Sequence, residues 1–244
     1  MTKTTAVNAP DPRQNMLLGA LPKEDYERLL PELQFVDMPL GWTMAESGDH
    51  VNYLHFPISG IVSLIYTLED GSSSEVALVG NEGLVGISIF MGGDSMPSST
   101  EVQCAGAAYR LSRKTMKLEF SLDGKLQHLA LLYTQALISQ TSQTAVCNQH
   151  HTTEQRLCRW LLMSLDRLRG SEVVITQEMV ANLLGVRRES ITETIGQLQK
   201  DGAIEKARGR INVLDRAKIE AKVCECYAMV QNEYDRLLPS KPQG

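Results

Sequence analysis

Arg188, Glu189, Ser190 and Thr192 crowd into one short stretch of the segment 187–200. Ile191, Ile195 and Leu198 are spaced i, i+4, i+7, so on a helix they form a single buried stripe. At about 100° per residue, Glu189, Thr192, Glu193 and Gly196 lie opposite that stripe, with Arg188 and Ser190 on its flanks. An exposed arginine can bond bidentately to guanine O6 and N7, and a glutamate can accept from cytosine N4. The chemistry on offer is the reading of base edges in a DNA major groove, with no covalent bond made or broken.

Those side chains need a scaffold, and the flanking residues supply one. Thr176 is placed to cap a first helix. Met179, Val180, Leu183 and Leu184 give that helix an apolar face, and Gly185 stops it, since glycine accepts a left-handed backbone. A tight turn into a second helix makes a helix-turn-helix. After Asp201-Gly202, the runs 203–206 and 210–214 read as two strands around Ala207-Arg208-Gly209, a wing. Arg188, Glu189, Ser190 and Thr192 are therefore the expected base readers. Thr176, Arg187, Lys206, Arg208 and Arg210 are the expected phosphate contacts.

Composition constrains the partner. Net charge is −5, and residues 171–220 hold eight basic and eight acidic side chains, so any attraction for DNA must be local and salt-sensitive. The acidic balance keeps open an alternative, a ligand-sensing or protein-interaction module with weak or vestigial DNA binding. Five cysteines, an odd number, read as reduced thiols of a cytoplasmic protein. No apolar run approaches 18 residues, so no membrane insertion is expected. Residues 1–15 are polar and proline-containing, the composition of a disordered arm.

Upstream, residues 21–33 read as a short helix, and residues 35–111 as short β-rich runs broken by turn signals. The turn candidates are Pro39-Leu40-Gly41, Ser47-Gly48-Asp49, Pro57-Ile58-Ser59-Gly60 and Asp70-Gly71. The chain then turns helical from about Thr115. Leu122, Leu126, Leu129, Tyr133, Ala136, Gln140 and Gln143 recur in steps of four and three, a coiled-coil seam expected to form a dimer interface. A helix of about 25 residues spans on the order of 35 Å and buries such a stripe poorly alone. A further helix begins near Glu154, and Asp215 is placed to cap a last one that carries Ile219, Val223, Tyr227, Val230, Tyr234 and Leu237.

The whole order resembles the Crp/Fnr family of bacterial transcription regulators. The resemblance rests on Glu154 to Leu162, Thr176 to Gly185 and Arg188-Glu189-Ser190-Ile191, with Phe56-Pro57-Ile58-Ser59-Gly60 and Gly80-Asn81-Glu82-Gly83 upstream. It implies an α+β protein: an antiparallel β-roll (double-stranded β-helix) sensor at 16–120, a dimerisation helix at 121–149, a winged helix-turn-helix at 150–222 and a C-terminal helix and tail at 223–244. It also implies a homodimer on a two-fold symmetric operator in double-stranded DNA, contact with RNA polymerase, and an effector of unknown identity.

Two departures narrow that expectation. Members that bind cyclic AMP carry an arginine beside a small hydroxyl residue to hold the phosphate, whereas the matching stretch Gly92 to Thr100 has hydroxyls and no arginine. Tight cyclic-nucleotide binding is therefore not expected. Members with an iron–sulfur cluster have clustered N-terminal cysteines, whereas the first cysteine here is Cys104. In the reading helix, Glu193 stands where relatives often place an arginine.

No metal is expected either. His50 and His55 lack the His-x-His spacing of a cupin site. Cys224 and Cys226, if helical, would diverge by about 200° and read as structural thiols. No nucleophile–base pair or phosphate-binding glycine loop stands out, so neither a cofactor nor enzyme activity is expected.

Overall fold

The computed structural model describes residues 9–239. The first elements are α1 (Met16–Gly19), α2 (Lys23–Leu29), β1 (Gln34–Met38), β2 (Thr43–Ala45), β3 (Tyr53–Thr67), β4 (Ser73–Val79), α3 (Ser88–Met91) and β5 (Ser99–Ser112). Then come α4 (Arg113–Ser121), α5 (Lys125–His150), α6 (Thr153–Leu165), β6 (Glu172–Val173), α7 (Gln177–Leu184) and α8 (Arg188–Lys200). The chain closes with β7 (Ile204–Ala207), β8 (Arg210–Val213), α9 (Arg216–Glu220) and α10 (Cys226–Leu237).

The first five strands form one antiparallel sheet, ordered β1-β5-β3-β4 with β2 on β5. Its inner face buries Leu54, Phe56, Ile61, Val62, Leu78 and Leu111, the β-roll core. The Asp70-Gly71 turn joins β3 to β4 as expected, with Gly71 at φ +83°. Pro57 to Gly60 is not a turn. It is a bulge inside the continuous strand β3, where the pairing with β5 slips and Gly60 takes φ +77° against the Cys104 carbonyl.

The arm expected to be disordered is ordered from Pro12. A 3-10 turn spans Pro12–Gln14, and Asn15 caps α1. The Asn15 amide, wholly buried, donates to the Pro57 and Gly83 carbonyls. Burial of a fully bonded amide anchors this arm to the roll. Residues 1–8 lie outside the described residues.

The expected single helix from Thr115 is two. Asp123, at φ +55°, and Gly124 break the chain between α4 and α5. Leu122 is thus the C-cap of α4 and half exposed, off the long helix altogether. The rest of the expected dimer seam points inward: Leu126, Leu129, Tyr133, Ala136 and Gln140 are buried within their own protomer, and Gln143 donates to Cys226 Sγ. The β-roll and α10 compete for the same stripe, and they cover it first. The outward face of α5 instead carries His128, Leu131, Gln135, Ile138, Ser142, Ala145 and Gln149, all exposed and again in steps of three and four.

The last expected helix is also two, α9 and α10, separated by the turn 221–225. The Asp215 carboxylate does cap α9, accepting from the Lys218 amide. The three-stranded sheet β6-β8-β7 includes a two-residue strand that periodicity could not reveal.

Candidate nucleic-acid interface, sensor cavity and thiol cluster

The helix-turn-helix is built as its residues dictate. Thr176 Oγ1 accepts from the Met179 amide, and Gly185 closes α7 at φ +60°. Ile191, Ile195 and Leu198 bury the inner stripe of α8. Arg187, at the N-cap, offers no side-chain cap, which leaves its guanidinium outside the helix. Arg187, Arg188, Glu189, Thr192 and Glu193 are exposed, and Ser190 is half-buried. Among the described residues none of the four exposed charges here, Arg187, Arg188, Glu189 and Glu193, makes an ion pair. The Thr192 hydroxyl donates back to the Arg188 carbonyl at 3.0 Å and lies 3.4 Å from Gln177 Oε1 at the start of α7. A side chain built at Gly196 would meet open space.

The wing is β7 and β8 with Arg208-Gly209 at the turn. Lys206 and Arg208 are exposed. Arg210 Nη1 lies 3.4 Å from Glu172 Oε2 on β6, with both side chains about half exposed, a weak surface pair that an incoming phosphate can displace.

The DNA-binding half sits against the β-roll. Arg167, after α6, places Nε 2.7 Å from Glu82 Oε1, and both side chains are buried. Arg156 donates to the Leu184 carbonyl, fixing α6 to α7. Glu75, on β4, is buried and bonded to the Ser63 hydroxyl at 2.5 Å. Burial pushes its carboxyl up to about 7, against the opposing pull of Ser63 and the positive Arg159.

Within the roll lies a cavity of about 280 Å³, lined by Trp42, Met44, Tyr53, His55, Ser98, Thr100 and, from α5, Leu137. Burial holds the His55 imidazole down to about 4, so it is neutral in ordinary conditions. His55 Nε2, Ser98 Oγ and Thr100 Oγ1 have no hydrogen-bond partner among the described residues. Arg110, further along β5, also lines the cavity, a cation outside the stretch Gly92 to Thr100. Its guanidinium stacks 4.0 Å over the Tyr53 ring and donates to Gln34, and Glu46 and Asp49 line the same cavity.

The expectation of no metal site is overturned. Cys147, His151, Cys224 and Cys226 converge into a group whose ligand atoms could hold an ion. The expected divergence of Cys224 and Cys226 assumed one continuous helix. Cys224 lies in the turn before α10 and Cys226 is its first residue, so the two thiols meet. His150, the other member of the histidine pair, is exposed.

A β-roll joined through a long helix to a winged helix-turn-helix defines a class of DNA-binding protein. The cyclic nucleotide-binding domain family matches residues 37–120, and the Crp-like helix-turn-helix domain family matches residues 155–222. The chain belongs to the Crp/Fnr family of transcriptional regulators. No curated protein matches it in sequence.

Solved structures share the fold. FixK2 from Bradyrhizobium japonicum aligns with TM-score 0.68 at 14% identity, covering 79% of this chain and 98% of that one. A CRP-family transcriptional regulator from Thermus thermophilus aligns with TM-score 0.65 at 20% identity, covering 77% and 95%. The c-di-GMP-responsive global regulator CLP from Xanthomonas campestris aligns with TM-score 0.63 at 18% identity, covering 79% and 99%. The fold and family are those of a transcription factor, not of an enzyme. No described helix is long and apolar enough to cross a membrane.

Proposed function

We propose that the chain works as a homodimer on a two-fold symmetric operator, with α8 of each protomer in one major groove. The observation that carries this reading is the outer surface of α8, where Arg188, Glu189 and Thr192 stand exposed and the two charges are free of protein ion pairs. Arg188, Glu189, Ser190 and Thr192 read base edges in this arrangement. Thr176, Arg187, Lys206, Arg208 and Arg210 hold the phosphates on either side.

Dimerisation runs through the outward face of α5, not the stripe that the protomer buries. Leu131 and Ile138 are 46% and 57% exposed there, one heptad apart, which favours pairing with a second copy of the same helix. Two-fold pairing of α5 would present two reading helices to one duplex, and RNA polymerase is then reached from the bound operator.

The β-roll cavity takes a small effector that is not a cyclic nucleotide. Glu46 and Asp49 oppose a phosphate, and the one arginine present is committed to Tyr53 and Gln34. Leu137 gives such an effector direct contact with α5. Enrichment of chromatin fragments bound by the protein, against the same protein carrying Arg188→Ala, tests the reading. A shared palindromic motif lost in the variant supports it; an identical fragment set in both refutes it. Calorimetry with cyclic AMP tests the cavity, and micromolar or tighter binding refutes that part.

A further inference from the structure

We infer that Cys147, His151, Cys224 and Cys226 form a tetrahedral three-sulfur, one-nitrogen site for a single zinc ion, at the joint where α5, α6 and α10 meet. The four ligand atoms all lie within 4.8 Å of one another. Cys147 Sγ is 3.6 Å from Cys224 Sγ, and Cys226 Sγ is 3.4 Å from His151 Nδ1. Zn–S bonds of about 2.3 Å and Zn–N bonds of about 2.0–2.1 Å give tetrahedral edges of roughly 3.8 Å between sulfurs and roughly 3.6 Å between sulfur and nitrogen. These two edges each fall about 0.2 Å short of those values, and the remaining edges do not exceed 4.8 Å, a spread that small side-chain rotations bring to a tetrahedron. A disulfide would need its sulfurs at about 2.05 Å.

The surroundings fit an ion as well as the ligands do. Nε2 of His151, the nitrogen turned away from the thiols, lies 3.4 Å from Glu225 Oε2. A carboxylate on the far side of an imidazole fixes its tautomer and raises the basicity of the ligating nitrogen. Gln143 Nε2 donates to Cys226 Sγ at 3.0 Å, a bond that steadies a thiolate. The three thiols are buried in a cluster of their own, apart from the main core. Such close spacing leaves room for one ion and not for a multi-iron cluster. Soft thiolates with one imidazole in tetrahedral array select zinc.

Binding releases the three thiol protons, so the loaded centre carries a net charge of one negative. Its position gives it a mechanical role. Cys147 lies in the last turn of α5, His151 is its C-cap, and Cys226 opens α10. The ion would staple the end of α5 to the start of α10 across the Thr152 cap at which α6 begins.

The assignment does not depend on DNA binding, and neither does its test. The full chain, reduced and stripped with chelator, is titrated with cobalt(II) and then zinc(II). One cobalt per chain is expected, with tetrahedral ligand-field bands, thiolate-to-cobalt charge transfer of three-thiolate intensity, and bleaching by one equivalent of zinc. Cys224→Ser is expected to lower zinc affinity by more than about a hundredfold. Glu225→Gln, at a mostly exposed residue that folding tolerates, is expected to lower it roughly 10–100-fold. Cobalt bound without thiolate charge transfer, iron–sulfur absorption in the purified protein, unchanged affinity in Glu225→Gln, or a Cys147–Cys224 disulfide in protein kept free of oxidant would each overturn it.

Discussion

Arg167 and Glu82 form a buried ion pair that joins the DNA-binding half of the chain to the β-roll, with Nε 2.7 Å from Oε1. Both groups are otherwise bonded: Arg167 donates to the Met163 carbonyl, and the Glu82 carboxylate accepts from the Gly80 amide. Removing one partner leaves the other charge buried without a counterion, which costs about 3–5 kcal/mol. Arg167→Met should lose that much in urea unfolding, and adding Glu82→Leu should recover most of it. A single-variant loss under about 1 kcal/mol would show the pair to be solvated.

Base readers and phosphate contacts separate by their response to salt. Arg188→Ala should cost roughly 1–3 kcal/mol on the operator and relax preference at one base pair per half-site. Arg208→Ala should weaken operator and random DNA about equally and flatten the dependence of log K on log salt. Equal losses on both DNAs for Arg188→Ala, or an unaltered salt slope for Arg208→Ala, would reverse the two assignments.

The two faces of α5 predict opposite phenotypes. Ile138→Glu places a charge on the exposed face and should yield a folded monomer in light scattering. Leu129→Ala empties a buried site and should lower stability by about 2–5 kcal/mol while leaving the oligomer unchanged. A dimer that survives Ile138→Glu would move the interface elsewhere.

Glu75 makes stability pH-dependent with a definite sign. Its folded pKa of about 7 exceeds the ordinary 4.5, so between those values the folded state holds a proton that the unfolded state has lost. Its contribution is complete below about pH 4.5 and falls as pH rises towards about 7. Glu75→Gln should flatten that fall in unfolding curves taken across the window. His55, held near 4 against 6.5, acts with the opposite slope and is present in both proteins, so the difference between them isolates Glu75. Identical curves for both proteins would place the Glu75 carboxylate in contact with water.

Local devices were legible in the sequence, and distant ones were not. Thr176 and Gly185 declare the ends of α7 because a cap and a left-handed stop depend on neighbours three or four residues away. Gln140 declares nothing of the kind. Its spacing placed it in a dimer seam, yet its carboxamide bonds both backbone groups of Leu78 at 2.9 and 3.1 Å and donates to the Tyr234 hydroxyl. Those partners come from β4 and α10, which no period along α5 can report. Thiol convergence was hidden similarly: the apolar rhythm from Ile219 to Leu237 runs straight through a turn, and only the turn lets Cys224 face Cys226. Arg110 is not legible as a cavity cation in the local stretch 92–100, because the cavity draws its lining from several strands.

Tyr234 touches Gln140 on α5, while Tyr227 and Gln231 donate to Asp166 at the end of α6. The closing helix is therefore a splint laid across α5 and the end of α6, outside the span 155–222 that the Crp-like helix-turn-helix domain family matches. A fragment trimmed to that span could keep its fold and its groove-fitting rod yet be deaf to the rest of the molecule. On the function proposed above, a DNA-binding head swapped between relatives would carry affinity without control unless the splint travelled with it.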